Sequence, residues 1–212
     1  MSDLFILGTG GQARDIAEIA FRLDWRPIFV TRDQAEIESW QGSDEIALED
    51  QVVTKGDAAF AIGIGDNQTR RLAANKYRQQ LRFPALIDPD SSLARGMFDM
   101  LSKTAGTVVF PGVRVMGGCK IGDFCTLNLN ATVSHDCVLD DFVNLSPGAH
   151  LAGNVFVAEG AWVGMGVVVN QGTDASPRQI GAWSVVGSGA AVVHDVRPRA
   201  TSVGVPAKEK LL

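Results

Sequence analysis

The chain has 212 residues, enough for one large domain or two small ones, each with a sizeable core. Hydrophobic residues make up 46% of it but aromatics only 7%, and there are 23 glycines, a balance that selects small aliphatic side chains and tight turns over bulky rings. A net charge of −5 gives no electrostatic reason for a nucleic-acid or anionic-membrane partner, while backbone N–H groups still hold phosphates without a basic surface. No apolar stretch approaches the ~20 residues of a membrane-spanning helix. The opening MSDLFILGTGG lacks the basic segment and long apolar run of a signal peptide, so a cytoplasmic protein is expected.

Residues 3–8 (DLFILG) form a short apolar run that breaks at Gly8-Thr9-Gly10-Gly11, after which Ile16, Ala17, Ile19, Ala20 and Leu23 recur at helical spacing. That is strand, glycine turn, helix. Further strands are predicted at Pro27–Val30 and Ala58–Ile64. Asp66-Asn67-Gln68-Thr69 opens a helix reaching about Gln80, with Asp66 or Asn67 as its cap. Leu86-Ile87 reads as a last strand. Strands alternating with helices imply a small Rossmann-like parallel sheet over residues 1–88, shorter than a complete dinucleotide fold. A second domain, residues 89–212, begins with a stretch (89–106) that fits either a helix or a loose first coil.

From residue 107 the pattern changes. Val109, Val115, Ile121, Leu127, Val133, Leu139, Leu145, Leu151, Val157, Val163 and Val169 are aliphatic at a spacing of six, and the residue two before each is small or β-branched. After an interruption at Thr173–Pro177 the period resumes at Ile180, Val186 and Val192. A fixed period of this kind is the signature of a solenoid. Six residues fit one flat side of a three-sided coil, eighteen a full turn, with aliphatic side chains inward and glycines such as Gly112, Gly118, Gly148, Gly160, Gly166 and Gly172 in the turns. Cys119 and Cys137, eighteen apart, stack in the interior, so the three cysteines, Cys125 included, read as small core residues.

The same arithmetic files polar residues along an edge. His135 occupies the fifth place of its hexad; Gly153 and Gln171 follow one coil apart, and counting the interruption as one residue short adds Ser188. Successive coils lie about 4.8 Å apart. A histidine with turn amides above it suits a base beside an extended ligand. His194 counts as three coils plus one side from His135, hence a different edge, and His150 reads as structural.

These residues carry a family resemblance. GTGGQA (Gly8–Ala13), IGDNQTR (Ile64–Arg70), SHDC (Ser134–Cys137), GAHLAGNV (Gly148–Val155), GSGA (Gly187–Ala190) and GVPAK (Gly204–Lys208) span nearly the whole chain. The chain resembles the bacterial hexapeptide-repeat acyltransferases of the NeuD/PglD type, which acetylate amino sugars carried on nucleotides, or sialic acid. The resemblance implies a left-handed β-helix, against the usual right-handed crossover, and a homotrimer with acetyl-coenzyme A in the groove between neighbouring helices. It makes His135 the general base and Asp136 its acidic neighbour. It places Gly153 at the acetyl carbonyl, and Asn144, Met165, Ser188 and Lys208 at further acetyl-coenzyme A contacts. Gly8, Gly10, Gly11, Gln12, Gly65 and Asn67 fall at the nucleotide sugar, and no metal is implied. Three departures from the pattern stand out: Gln12 and Asn144 replace histidines, and Thr31-Arg32 replaces an acidic pair that would contact the base.

Acetyl transfer needs an uncharged nucleophile, a proton acceptor and a donor to the developing oxyanion. Histidine, with an ordinary pKa near ~6.5, accepts a proton at neutral pH, and a carboxylate on its other nitrogen fixes the tautomer. The activity the resemblance implies is N-acetylation of a nucleotide-linked amino sugar, a 4-amino-4,6-dideoxy sugar, and this chemistry fits it as direct attack on the thioester. The alternatives are O-acetylation of sialic acid or a related sugar, a sugar-nucleotide binding module without catalysis, and a β-helix metal lyase, which would need several histidines converging on one ion. Arg70 and Arg71 read equally as solvated helix residues and as phosphate ligands.

Overall fold

The structure is a computed structural model in which residues 1–54 and 57–210 are described. The N-terminal part holds β1 (Ser2–Leu7), α1 (Gly11–Arg22), β2 (Trp25–Thr31), α2 (Gln34–Glu38), β3 (Glu45–Leu48), α3 (Glu49–Val52), β4 (Ala59–Ile62) and α4 (Asn67–Tyr77). Its four strands run parallel in the order β3-β2-β1-β4. Every side chain from Leu4 to Leu7 and from Ile28 to Val30 is buried, as expected of strands covered on both faces. The edge strand β3 (EIAL), with its charged first residue, was not predicted. Gly63 was not singled out either: a Cβ there would stand 2.5 Å from that of Ala13, so its absence lets α1 close on β4.

Leu86–Ile87 (β5) is a strand, but it does not join this sheet. It pairs with Val108–Val109 and so begins one face of the second architecture. Residues 89–106 supply both predicted alternatives: Ser92–Leu93 (β6) starts a second face, and Met97–Leu101 (α5) is a short helix packed on a third.

The remainder is a left-handed parallel β-helix with three faces. Val109, Leu127, Leu145, Val163 and Val186 stack in register on the first face. Val115, Val133, Leu151, Val169 and Val192 do so on the second, and Ile121, Leu139, Val157 and Ile180 on the third. The three cysteines lie inside; their thiols donate to carbonyls fifteen residues on, Cys119 to Ser134 at 3.0 Å and Cys137 to Ala152 at 3.1 Å. Burial pushes the Cys125 thiol up to about 12, consistent with an inert core residue.

Each edge of the prism repeats a turn residue in the left-handed region. Two edges use residues that tolerate it, Gly112, Asn130, Gly148, Gly166 and Gly189 on one and Gly118, Asp136 and Asn154 on the other. The edge between third and first faces combines Gly106 and Gly160 with three bulky residues, Phe124, Phe142 and Trp183, at φ 53°, 61° and 56°. Bulky residues persist there only where surroundings over-determine them: Phe124 and Phe142 are enclosed against the N-terminal sheet, and half-buried Trp183 is covered by Arg71 of α4. Rings run from that sheet to the edge as Phe5, Phe60, Phe83, Phe124 and Phe142, with successive centroids 5.2, 6.3, 5.4 and 5.5 Å apart.

Arg70 completes this junction. It is 2% exposed, so neither reading made from the sequence holds. Its guanidinium donates to the carbonyls of Phe124 (3.0 Å) and Phe142 (3.0 Å) on the β-helix and of Gly65 (2.9 Å) on its own side. Burial lowers its pKa to about 10, which still leaves it charged at neutral pH. Arg71 stacks over Trp183 at 4.5 Å and pairs with Glu159 at 3.6 Å.

Candidate active site

His135 and Asp136 form the turn between second and third faces. Asp136 has φ 58°, which asparagine and aspartate adopt at little cost, and this turns its carboxylate back on its neighbour. His135 Nδ1 lies 2.8 Å from Asp136 Oδ2. Against an ionised carboxylate Nδ1 carries the proton, so Nε2 presents a free lone pair. Both side chains face solvent. Two glycines make room for the pair. A Cβ on Gly118, one coil below, would meet Asp136 Oδ1 at 2.2 Å; one on Gly153, one coil above, would meet His135 Cε1 at 2.4 Å and Nε2 at 2.5 Å. The imidazole thus lies against the bare Gly153 backbone, and Asn154 N donates to His135 O at 3.0 Å.

The file above His135 needs correction. Trp162 pairs with Val185 and Val163 with Val186, which sets Ser188 over Met165, both exposed, on the edge between first and second faces. Ser188 therefore does not stand over Gln171. Val169 pairs with Val192 and Asn170 N donates to Val192 O, so the chain next passes His194 on the edge of His135, Gly153 and Gln171. The reason is the loop at 173–177. It closes on itself through Thr173 and Ser176, and Arg178 N returns to Asn154 O at 3.0 Å, so the loop is an excursion at one corner and forms no side of the coil. Treating it as a shortened hexad rotated every later residue by one side.

The other predicted ligands are distributed over the prism. Asn144 stands on the first face between Thr126 and Trp162, 4% exposed, and donates to Ser146 Oγ at 2.9 Å. Lys208 is exposed on the terminal strand Lys208–Glu209, antiparallel to Thr201–Val203. His150 lies on the outer side of the second face, 2.9 Å from Thr132 Oγ1. His135 and His194 are three coils apart, roughly 14 Å, too far to share one metal ion at the ~2 Å bonds zinc requires.

In the N-terminal domain a cavity of 450 Å³ opens at the carboxyl ends of β1, β2 and β4, where ligands of open α/β sheets bind. Gly8 and Thr9 line it, with Thr31, Arg32, Glu36 and Glu49 opposite. Gly8 (φ 118°) is the turn residue that no side chain would suit. The space where a Cβ on Gly10, Gly11 or Gly65 would stand is open to 4 Å, and Gly10 precedes α1 without giving it a side-chain cap, leaving its first N–H groups for an anion. Gln12 is half-buried in that first turn. Asn67 is placed otherwise than expected: its side-chain amide donates to Gly160 O (3.0 Å) and Ala161 O (3.3 Å), tying α4 to the β-helix rather than facing the cavity.

Sequence reasoning missed the polar wall of this cavity. Glu49 accepts from Tyr77 Oη, from Lys76 at 3.0 Å and from Arg32 at 2.8 Å. Burial pulls its pKa up, but these bonds outweigh it and hold the carboxyl below its ordinary range. Glu36 accepts from Thr31 and Thr9, in that order of effect, and is lowered likewise. The signal that could have found Glu36 is its position one turn after the second strand.

A hexapeptide β-helix with a carboxylate-oriented histidine on one edge, joined to a small α/β domain with a glycine turn, defines a hexapeptide-repeat acyltransferase scaffold. The PglD N-terminal domain family matches residues 3–77. A GDP-perosamine N-acetyltransferase of Escherichia coli O157:H7 is 34% identical over 150 residues, 71% of this chain and 66% of that protein. Among solved structures, the acetyltransferase domain of PglB from Neisseria gonorrhoeae FA1090 in complex with acetyl coenzyme A superposes with a TM-score of 0.84 at 27% identity, covering 98% of each chain. PerB from Caulobacter crescentus, in complex with CoA and GDP-perosamine, gives 0.83 at 28% identity over 100% of this chain and 98% of that one. This chain belongs to the NeuD/PglD-type hexapeptide-repeat sugar acetyltransferases.

Proposed function

We propose that the protein transfers the acetyl group of acetyl-coenzyme A to the amine of a nucleotide-linked 4-amino-4,6-dideoxy sugar. The observation that carries this is the 2.8 Å His135–Asp136 pair laid against the Gly153 backbone, in a family whose solved members hold coenzyme A and a nucleotide amino sugar. His135 Nε2 takes a proton from the amine as its nitrogen attacks the thioester carbonyl. Asp136 stabilises the imidazolium that forms, and the Gly153 amide donates to the oxyanion. Collapse expels the coenzyme A thiolate, which leaves as the thiol once protonated. Asn144, Met165, Ser188 and Lys208 hold the coenzyme; Gly8, Gly10, Gly11, Gln12 and Gly65 hold the nucleotide sugar. Free-thiol release should occur only when acetyl-coenzyme A meets a nucleotide-linked amino sugar. Turnover with hydroxyl-only acceptors such as sialic acid, and none with amines, would make the protein an O-acetyltransferase instead.

In this reading the working unit is a homotrimer in the cytoplasm. What supports the assembly is that His135 and Gly153 occupy one edge, Met165 and Ser188 another, and the N-terminal domain the third. A side of about six residues spans at most ~20 Å, and neighbouring chains packed edge to edge would bring the two groups together around one ligand. Co-expressing His135→Ala with Met165→Glu, each inactive alone, should restore activity at interfaces that combine the two intact edges. A co-expressed pair as inactive as its components would place the whole site in one chain.

A further inference from the structure

Glu36 is fixed in an unusual manner for an exposed-helix carboxylate. It sits in α2, whose start is capped by Asp33 accepting from Ala35 N at 2.9 Å, yet its side chain turns back into the crevice. There Thr9 Oγ1, from the glycine turn, donates to Oε1, and Thr31 Oγ1, from the end of β2, donates to Oε2. The glycine turn and the end of β2 thus aim one carboxylate at the 450 Å³ cavity. Among the described residues no lysine or arginine pairs with it, because the neighbouring cations Arg32 and Lys76 are held by Glu49 at 2.8 and 3.0 Å. Each oxygen accepts one hydroxyl and keeps room for a second donor. An unneutralised carboxylate repels phosphate, so this wall receives the nucleoside and leaves the phosphates to the uncapped start of α1.

The bases differ in what they offer such a group. Guanine presents N1–H and the N2 amine side by side, two donors matching two oxygens. Uracil and thymine present a single N3–H between carbonyl oxygens, which would face the carboxylate unfavourably. Cytosine and adenine each set one amine beside a ring acceptor. Guanine O6, next along the same edge, needs a donor, and Arg32 and Lys76 line the same cavity. We propose that Glu36 selects guanine, accepting N1–H and the N2 amine of a guanosine-diphosphate-linked sugar on its two oxygens. The inference rests on the nucleotide-sugar reading of this cavity. It also accounts for the missing acidic pair at Thr31-Arg32: the carboxylate comes from one turn further on, and Thr31 holds it in place.

Calorimetric titration of the full chain with nucleoside diphosphates tests this without acetyl transfer. GDP should bind at least about tenfold more tightly than inosine diphosphate, which lacks the N2 amine, and than UDP or dTDP. 2′-Deoxy-GDP should match GDP. Glu36→Gln, with an unchanged thermal transition, should bind GDP about tenfold or more weakly and no longer separate it from inosine diphosphate. Equal affinity for GDP and inosine diphosphate with a loss for 2′-deoxy-GDP would assign the carboxylate to the ribose. UDP or dTDP binding as well as GDP, or Glu36→Gln binding GDP like the unsubstituted chain, would overturn the proposal. If this GDP pattern holds while no GDP-linked amino sugar is acetylated, the acetyl-transfer reading fails and the base assignment stands; acetylation of UDP sugars alone would do the reverse.

Discussion

His135→Ala is expected to lower kcat for acetyl transfer by about 10²–10⁴-fold, the range in which positioned general bases contribute. The KM values for both substrates should change little, because the side chain is solvent-facing at a turn and the interior aliphatic ladders do not touch it. For the same reason the thermal transition should stay within a few degrees, as expected of a surface substitution. Steady-state kinetics by thiol release, with a melting curve on the same preparation, reads all three. Asp136→Asn should fall between, since the amide keeps the left-handed turn but cannot stabilise the imidazolium. Near wild-type turnover in His135→Ala would remove the histidine from the chemistry.

Gly153→Ala is the sharper test because it adds one methyl group and removes nothing. The new Cβ would stand 2.4 Å from His135 Cε1 and 2.5 Å from Nε2, well inside van der Waals contact. Gly153 is not in the left-handed region, so its backbone accepts alanine without strain. The exposed imidazole swings away instead, and the protein folds with its base displaced. Misplacement of about 1 Å costs on the order of 10²-fold in rate, so kcat should fall by roughly that factor while stability changes by about 0.5 kcal/mol or less. A structure of the variant should show the His135–Asp136 bond broken. Full activity with that bond intact would mean the imidazole does not need the Gly153 surface.

Much of this arrangement was legible in the residues. The aliphatic period of six gave the faces, the core and the cysteines' place inside it, because a solenoid repeats its environment at fixed intervals and a local pattern carries the tertiary contact. It also put Gly153 directly above His135. The register failed at 173–177, where Thr173 and Ser176 close a loop whose length says nothing about whether it makes a side. That cost Ser188 its assigned edge and hid the alignment of His194 with His135. The domain junction was illegible for a different reason. Phe124, Phe142 and Trp183 occupy turn positions where glycine or asparagine is usual, and the docking of the N-terminal sheet and α4 explains them. Arg70 and Asn67 sit in a motif that resembles a ligand turn, yet their side chains bind carbonyls 54 to 94 residues away, a separation no local pattern reveals.

Acetyl transfer to nitrogen at His135 is tested most directly by incubating the protein with acetyl-coenzyme A labelled with carbon-13 at the carbonyl and a GDP-linked 4-amino-4,6-dideoxy sugar. The NMR spectrum of the product should show the labelled carbonyl as an amide coupled to the sugar's amine-bearing carbon, and His135→Ala should give essentially none of it. A labelled ester, or label remaining on coenzyme A with the unsubstituted protein, would contradict the account.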